Sequence, residues 1–150
     1  MDFNDFVSCV GKGEDTPEVQ RLLSALGITK KLKMPNDDID VRHQLPERGL
    51  SLIFKPENPK SSRLILTAVQ FMSDAEQGWA SYGGGLPGKV LLSDGHAETH
   101  SKLGPPKIEK PKLRLDIWQL QNLRLAINYT KAEPQRVAVV TLQLPPKEKD

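Results

Sequence analysis

Two stretches of this 150-residue chain open alike and then pass through the same kinds of segment in the same order. Thr16-Pro-Glu-Val-Gln-Arg-Leu-Leu-Ser-Ala-Leu-Gly27 lines up with Ser93-Asp-Gly-His-Ala-Glu-Thr-His-Ser-Lys-Leu-Gly104, cap residue on cap residue and Leu-Gly on Leu-Gly. Downstream, Asp40-Val-Arg-His answers Asp116-Ile-Trp-Gln, and Leu50-Ser-Leu-Ile-Phe answers Leu123-Arg-Leu-Ala-Ile-Asn-Tyr. Arg63-Leu-Ile-Leu-Thr-Ala-Val then answers Arg136-Val-Ala-Val-Val-Thr-Leu. Internal duplication decides architecture before any single segment does. The expectation is one α+β domain of two tandem helix–three-strand repeats, their sheets merging into one antiparallel surface with the helices packed on one face. The first repeat covers about 16–72 and the second about 93–144, with a Gly-rich connection at about 73–92 and a flexible tail at 145–150.

Local signals agree with that division. Phe3, Phe6, Val7 and Val10 recur at i, i+3, i+4 and i+7, which predicts a short helix within residues 2–11 ahead of the first repeat. Thr16-Pro17-Glu18 combines a cap residue, a proline pre-set for the first turn and an acid favoured by the helix dipole. Val19, Leu22, Leu23 and Leu26 then mark one apolar face, and Gly27 is a left-handed stop. Residues 40–45, 49–54 and 63–72 read as strands with turn chemistry between them. In the second copy His96, Thr99 and His100 replace Val19, Leu22 and Leu23. The apolar face of that helix is lost, so either it lies loosely on the sheet or its polar face is used.

Composition excludes several classes. A chain of this length buries roughly 70% of its unfolded surface and needs no disulfide framework or structural metal to fold. Cys9 is the single cysteine, so no intramolecular disulfide can form. The acidic start, without a basic region before an apolar run, predicts a reducing, cytoplasmic setting. No stretch approaches the roughly 20 apolar residues of a membrane-spanning helix. A net charge of +2 gives no bulk attraction to nucleic acid or anionic lipid.

Motifs for catalysis are incomplete. Gly83-Gly-Gly-Leu-Pro-Gly-Lys89 has the spacing of a phosphate loop, but Val90 replaces the metal-binding hydroxyl, Pro87 lacks an N–H, and a short strand rather than a helix is expected next. His96-Ala-Glu-Thr-His100 places two imidazoles one helical turn apart, close enough to share a metal. The zinc-protease order needs Glu directly after the first His, where Ala97 stands, and the third histidine, His43, falls on a strand of the other repeat. The pair reads as partly exposed helix histidines, and no metal or cofactor is expected. Cys9 lies among Phe3, Phe6, Val7 and Val10 and reads as a small buried hydrophobe. Ser73 and Ser93 precede aspartates, a sign of turns and caps. The Lys102–Arg114 stretch, rich in proline and lysine, reads as an extended, solvated connector.

Tyr82-Gly-Gly-Gly-Leu-Pro-Gly-Lys-Val-Leu-Leu-Ser-Asp-Gly-His-Ala-Glu-Thr-His-Ser-Lys-Leu-Gly-Pro-Pro106, with the earlier Pro-Glu-Val and Gly-Leu-Ser-Leu-Ile-Phe runs, resembles small immunity proteins that accompany bacterial polymorphic toxins. The duplicated layout also resembles beta-lactamase inhibitor protein. The resemblance covers most of the chain but consists of structural punctuation, and Thr99 departs from it where an apolar residue is usual. It implies a non-enzymatic protein that binds a cognate toxin or effector and occludes its active site. Candidate toxin-binding residues are Asp37, Asp38 and Asp40, as an acidic surface for a cationic cleft, and Trp79 and Tyr82, as aromatic anchors near the Gly-rich connection. Solvated loop acids and a Trp79 that folds back onto the sheet are the plain alternatives. A scaffold or regulatory adaptor, or a small hydrolase using His96, His100 and Glu98, are the competing functions.

Overall fold

The structure is a computed structural model, and it describes residues 2–29 and 40–146. The Thr16-Pro17 and Gly27 signals delimit a helix, Pro17–Ala25 (α2), whose Val19, Leu22 and Leu23 are buried. A shorter helix precedes it, Phe3–Val7 (α1), capped by Asp2 and Asp5, each of whose carboxylates accepts the other's backbone N–H. Cys9 follows and is 2% exposed, its thiol donating to the Glu18 carbonyl of α2. A third helix, His96–Leu103 (α3), stands in the second half. Among the described residues no helix is long and apolar enough to cross a membrane.

Seven strands form one antiparallel sheet: Val41–Leu45 (β1), Leu50–Pro56 (β2), Leu64–Met72 (β3), Ile108–Lys110 (β4), Leu115–Leu120 (β5), Leu123–Tyr129 (β6) and Val137–Gln143 (β7). Their spatial order is β1-β2-β3-β7-β6-β5-β4, so each half is a local meander and only β3 and β7 join the halves. The α+β class and the antiparallel sheet agree with the sequence reading. The three-strand repeat is not confirmed, because the second half contributes four strands. Its extra strand, β4, comes from the stretch expected to be a solvated connector. A proline-led 3-10 turn ending in a left-handed residue joins β1 to β2 (Pro46–Arg48, then Gly49, φ +66) and again joins β4 to β5 (Pro111–Leu113, then Arg114, φ +52). By these turns the Leu50 strand corresponds to the Leu115 strand, one strand away from the pairing expected of Asp40 with Asp116.

Pairing registers separate the two faces, since directly opposed residues share one. Leu45, Leu50, Phe71, Val140, Ile127, Asp116 and Glu109 form one row across the covered face. All three helices pack there. Phe3 and Phe6 of α1 lie 5.2 and 5.0 Å from the Phe71 ring, α2 adds Leu22 and Leu23 to the same core, and Thr99 of α3 touches Tyr129. On the opposite face Gln44, Ser51, Gln70, Thr141, Ala126, Ile117 and Ile108 form a row through all seven strands. Among the described residues no helix covers it.

The Gly-rich connection wraps the end of the sheet. Ala80 N–H donates to the Pro46 carbonyl and Tyr82 N–H to that of Met72, across Gly49. A side chain at Gly49 would stand 2.5 Å from backbone atoms of Ala80 and Tyr82, so glycine there serves both the positive φ and the close crossing. The strand expected after the Gly-rich loop is not formed. Pro87–Lys89 is a 3-10 turn and residues 90–95 are irregular.

Candidate functional site

Helix α3 resolves the question its sequence left open, because its polar face is the one that packs. His96, Thr99, His100 and Leu103 follow the i, i+3, i+4, i+7 spacing of a single stripe, and Thr99, at its centre, is fully buried. The helix begins at Gly95, whose N–H donates to the Glu98 carboxylate at 3.1 Å. The expected cap, Ser93-Asp94, does other work. Asp94 Oδ2 accepts from Leu91 N (2.8 Å) and Lys102 Nζ (2.6 Å), and its carbonyl accepts from Val137 N, tying the preceding loop to the helix and to β7.

Beneath that stripe the sheet supplies matching polar groups. Strand alternation puts Asp116, Trp118 and Leu120 of β5 on the covered face, so an acid sits between Ile127 of β6 and Glu109 of β4. Asp116 is 2% exposed. Its Oδ2 lies 2.7 Å from His100 Nε2 and 3.0 Å from His96 Nε2, and it accepts the Tyr129 hydroxyl at 2.9 Å. Tyr129 Oη is in turn 2.6 Å from Thr99 Oγ1, which also reaches the His96 carbonyl at 2.9 Å. Two hydroxyl protons serve these three contacts. With the Tyr129 hydroxyl donating to Asp116, the Thr99 hydroxyl donates to Tyr129 Oη, and the chain runs from helix to sheet. Burial foremost, and then the hydrogen bond to Asp116 and its charge, raise the Tyr129 phenol well above its ordinary range, against a smaller lowering by Thr99. The imidazole rings lie 4.0 Å apart and tilted by 41°, with the edge of Trp118 against His100 at 5.8 Å. Glu109 of β4, directly opposite Asp116, brings Oε1 to 4.0 Å from His100 Nδ1.

The residues expected from sequence are scattered. Asp37 and Asp38 lie outside the described residues. Asp40 precedes β1, with its carboxylate 3.5 Å from Arg42 Nε. Glu14, Asp15 and Glu18, which sequence could join to that acidic surface, lie at the start of α2, where Asp15 is held by Arg63 at 2.9 Å and Glu18 faces Lys12 at 3.5 Å. Trp79 is half-buried in the connection. Tyr82 is partly buried and packs against the core, its ring 4.8 Å from Phe71 and 6.3 Å from Phe6, and burial, then the charges of Asp2 and Asp5, raise its phenol. His43 lies on the covered face of β1, in register with Leu52, and burial lowers its imidazole. Five strand spacings, about 24 Å, separate it from Trp118 in the same row. Glu98 is engaged at the start of its own helix.

The group that meets the two histidines was therefore not among the expected residues. Asp116, Tyr129 and Thr99 lack any linear motif, although the parity of Leu115-Asp-Ile-Trp-Gln-Leu120 places the acid on the same side as Trp118. No protein-family model, curated protein or solved structure matches this chain.

Proposed function

We propose that this protein is a non-enzymatic inhibitor of the immunity type, which binds a cognate bacterial toxin and covers its active cleft. The observation that carries the reading is the row Gln44, Ser51, Gln70, Thr141, Ala126, Ile117 and Ile108 on the face without helices. It has no charged side chain, although 27% of the chain is charged. Arg42 and Arg124 flank it on one side and Lys110 on the other, by the same registers. A centre depleted of charge inside a polar, charged rim is how protein interfaces are built. The rim is mainly cationic, so the complementary partner surface is acidic. That modifies the acidic surface expected from sequence; among the described residues Asp40, beside Arg42, borders this face.

The recurring helix, edge strand and proline-led turn support the tandem arrangement implied by the resemblance, with β7 as an addition to the second unit. Trp79, on the loop at one end of the sheet, and the exposed part of Tyr82 are the candidate aromatic anchors.

The test is binding to the toxin encoded beside this protein, measured by calorimetry with purified components. The wild type should bind it tightly. Gln70→Arg, at the centre of the row, and Gln44→Arg, at its exposed end, should each abolish binding while circular dichroism stays unchanged. Undiminished binding by both variants removes this face from the reading, and no binding by the wild type removes the reading itself.

A further inference from the structure

We propose that His96, His100 and Asp116 form a binding site for one divalent transition-metal ion, and that zinc is the ion the donor set suits. The proposal does not depend on the inhibitor reading, which uses the opposite face of the sheet. The three ligand atoms, two imidazole nitrogens and one carboxylate oxygen, lie within 4.8 Å of one another. Two nitrogens and an oxygen with a fourth position left open are a zinc-type ligand set. That fourth position faces solvent, because the His96 side chain is 51% exposed.

Three features favour an ion over a purely hydrogen-bonded cluster. First, a buried carboxylate ordinarily has a cationic partner or a metal. Asp116, 2% exposed, has neither Lys nor Arg within ion-pairing distance among the described residues. Second, its Oδ2 faces His96 Nε2, His100 Nε2 and the Tyr129 hydroxyl at 3.0, 2.7 and 2.9 Å, three polar groups crowded on an oxygen with two lone pairs. An ion bound by both Nε2 atoms and Oδ2 leaves the oxygen two partners, metal and tyrosine.

Third, an outer layer is already in place. The Tyr129 hydroxyl orients Asp116, Thr99 supports Tyr129, and the Glu109 carboxylate faces the second nitrogen of His100 at 4.0 Å. Carboxylates and hydroxyls in those positions fix ligand orientation in metal sites. With bonds of about 2.0–2.2 Å, tetrahedral ligand atoms stand about 3.4 Å apart, so binding requires the present 2.7 and 3.0 Å contacts to open by about 0.7 and 0.4 Å. Small rotations of the two exposed-edge imidazoles supply that.

The experiment titrates the metal-free full chain with zinc chloride against a chromogenic chelator, with X-ray absorption on the loaded protein. One zinc per chain is expected, with two imidazole nitrogens in the absorption spectrum. His96→Ala and His100→Ala should weaken binding more than Tyr129→Phe, which should lose about 10- to 100-fold. Lys102→Ala, on the same helix but outside the cluster, should bind as the wild type does. Substoichiometric zinc, a spectrum with fewer than two imidazoles, or unchanged affinity in His96→Ala overturns the proposal. His96 is half exposed and its removal leaves the Thr99–Tyr129–Asp116 contacts in place, so this variant remains informative even where His100→Ala fails to fold.

Discussion

Tyr129→Phe isolates the contact on which the seating of α3 depends. The side chain is 3% exposed, and its hydroxyl gives its proton to a carboxylate that is itself 3% exposed. Deleting the oxygen leaves the ring packing intact. Thr99 loses little, because its proton turns fully to the His96 carbonyl at 2.9 Å. Asp116 keeps its histidine neighbours but loses one charge-assisted hydrogen bond. Such bonds contribute about 1.5–3 kcal/mol, so the expected loss is about 2 kcal/mol. For a domain of this size that lowers Tm by about 4–8 °C. Urea and thermal unfolding at pH 7 with the zinc-free protein measure it. A double-mutant cycle with Asp116→Asn assigns the cause: with the charge gone, Tyr129→Phe should cost about 1 kcal/mol or less. A Tyr129→Phe protein as stable as wild type, or a penalty unchanged by Asp116→Asn, refutes the chain of hydrogen bonds from helix to sheet.

Three further outcomes are expected. Phe71→Ala should cost about 3–5 kcal/mol in urea unfolding, because Phe71 is fully buried and is the ring shared by Phe3, Phe6 and Tyr82; hydrogen exchange in α1 should rise in parallel. His43→Leu should flatten the acid side of the stability profile. Burial lowers the folded imidazole below the unfolded value of about 6.5, so the unfolded chain binds the proton first and wild-type stability falls as pH drops through about 6.5 and on to the folded value. Unfolding midpoints of the two proteins at pH 7.5 and 5.5 check this, and parallel profiles count against it. Gly49→Ala should destabilise by more than about 1 kcal/mol, since both its φ of +66 and the Ala80 and Tyr82 backbone oppose a side chain, and proteolysis should shift to the 73–82 connection.

Helix α2 was readable because three independent signals coincide there: the Thr16-Pro17 start, the Val19-Leu22-Leu23 stripe and the Gly27 stop. The strands of the first half were readable from β-branched and aromatic runs between turns. Strand β4 was not, because three residues, Ile108–Lys110, are too few to establish a period, and Pro105, Pro106 and Pro111 around them suggest a linker. Missing it displaced the alignment of the halves by one strand. The helical spacing of His96 and His100 was plain, yet the helix itself points to Glu98 as a third group and the histidine count to His43. The answering group came from a strand, where only its parity with Trp118 gave it away. Tyr82 illustrates the converse: an aromatic beside glycines in sequence suggests exposure, whereas the chain folds back at Gly49 and packs the ring against Phe71.

The seam between β3 and β7 carries a kinetic consequence. Every other strand pairing links neighbours in sequence, whereas this one brings Ala68–Met72 to Val139–Gln143 across some seventy residues. Loop closure must precede any reward from such distant contacts. Each meander can therefore gain local order early, and the rate of reaching the native state is set by the encounter of the two, which is also the step at which two chains meeting at high concentration could exchange halves.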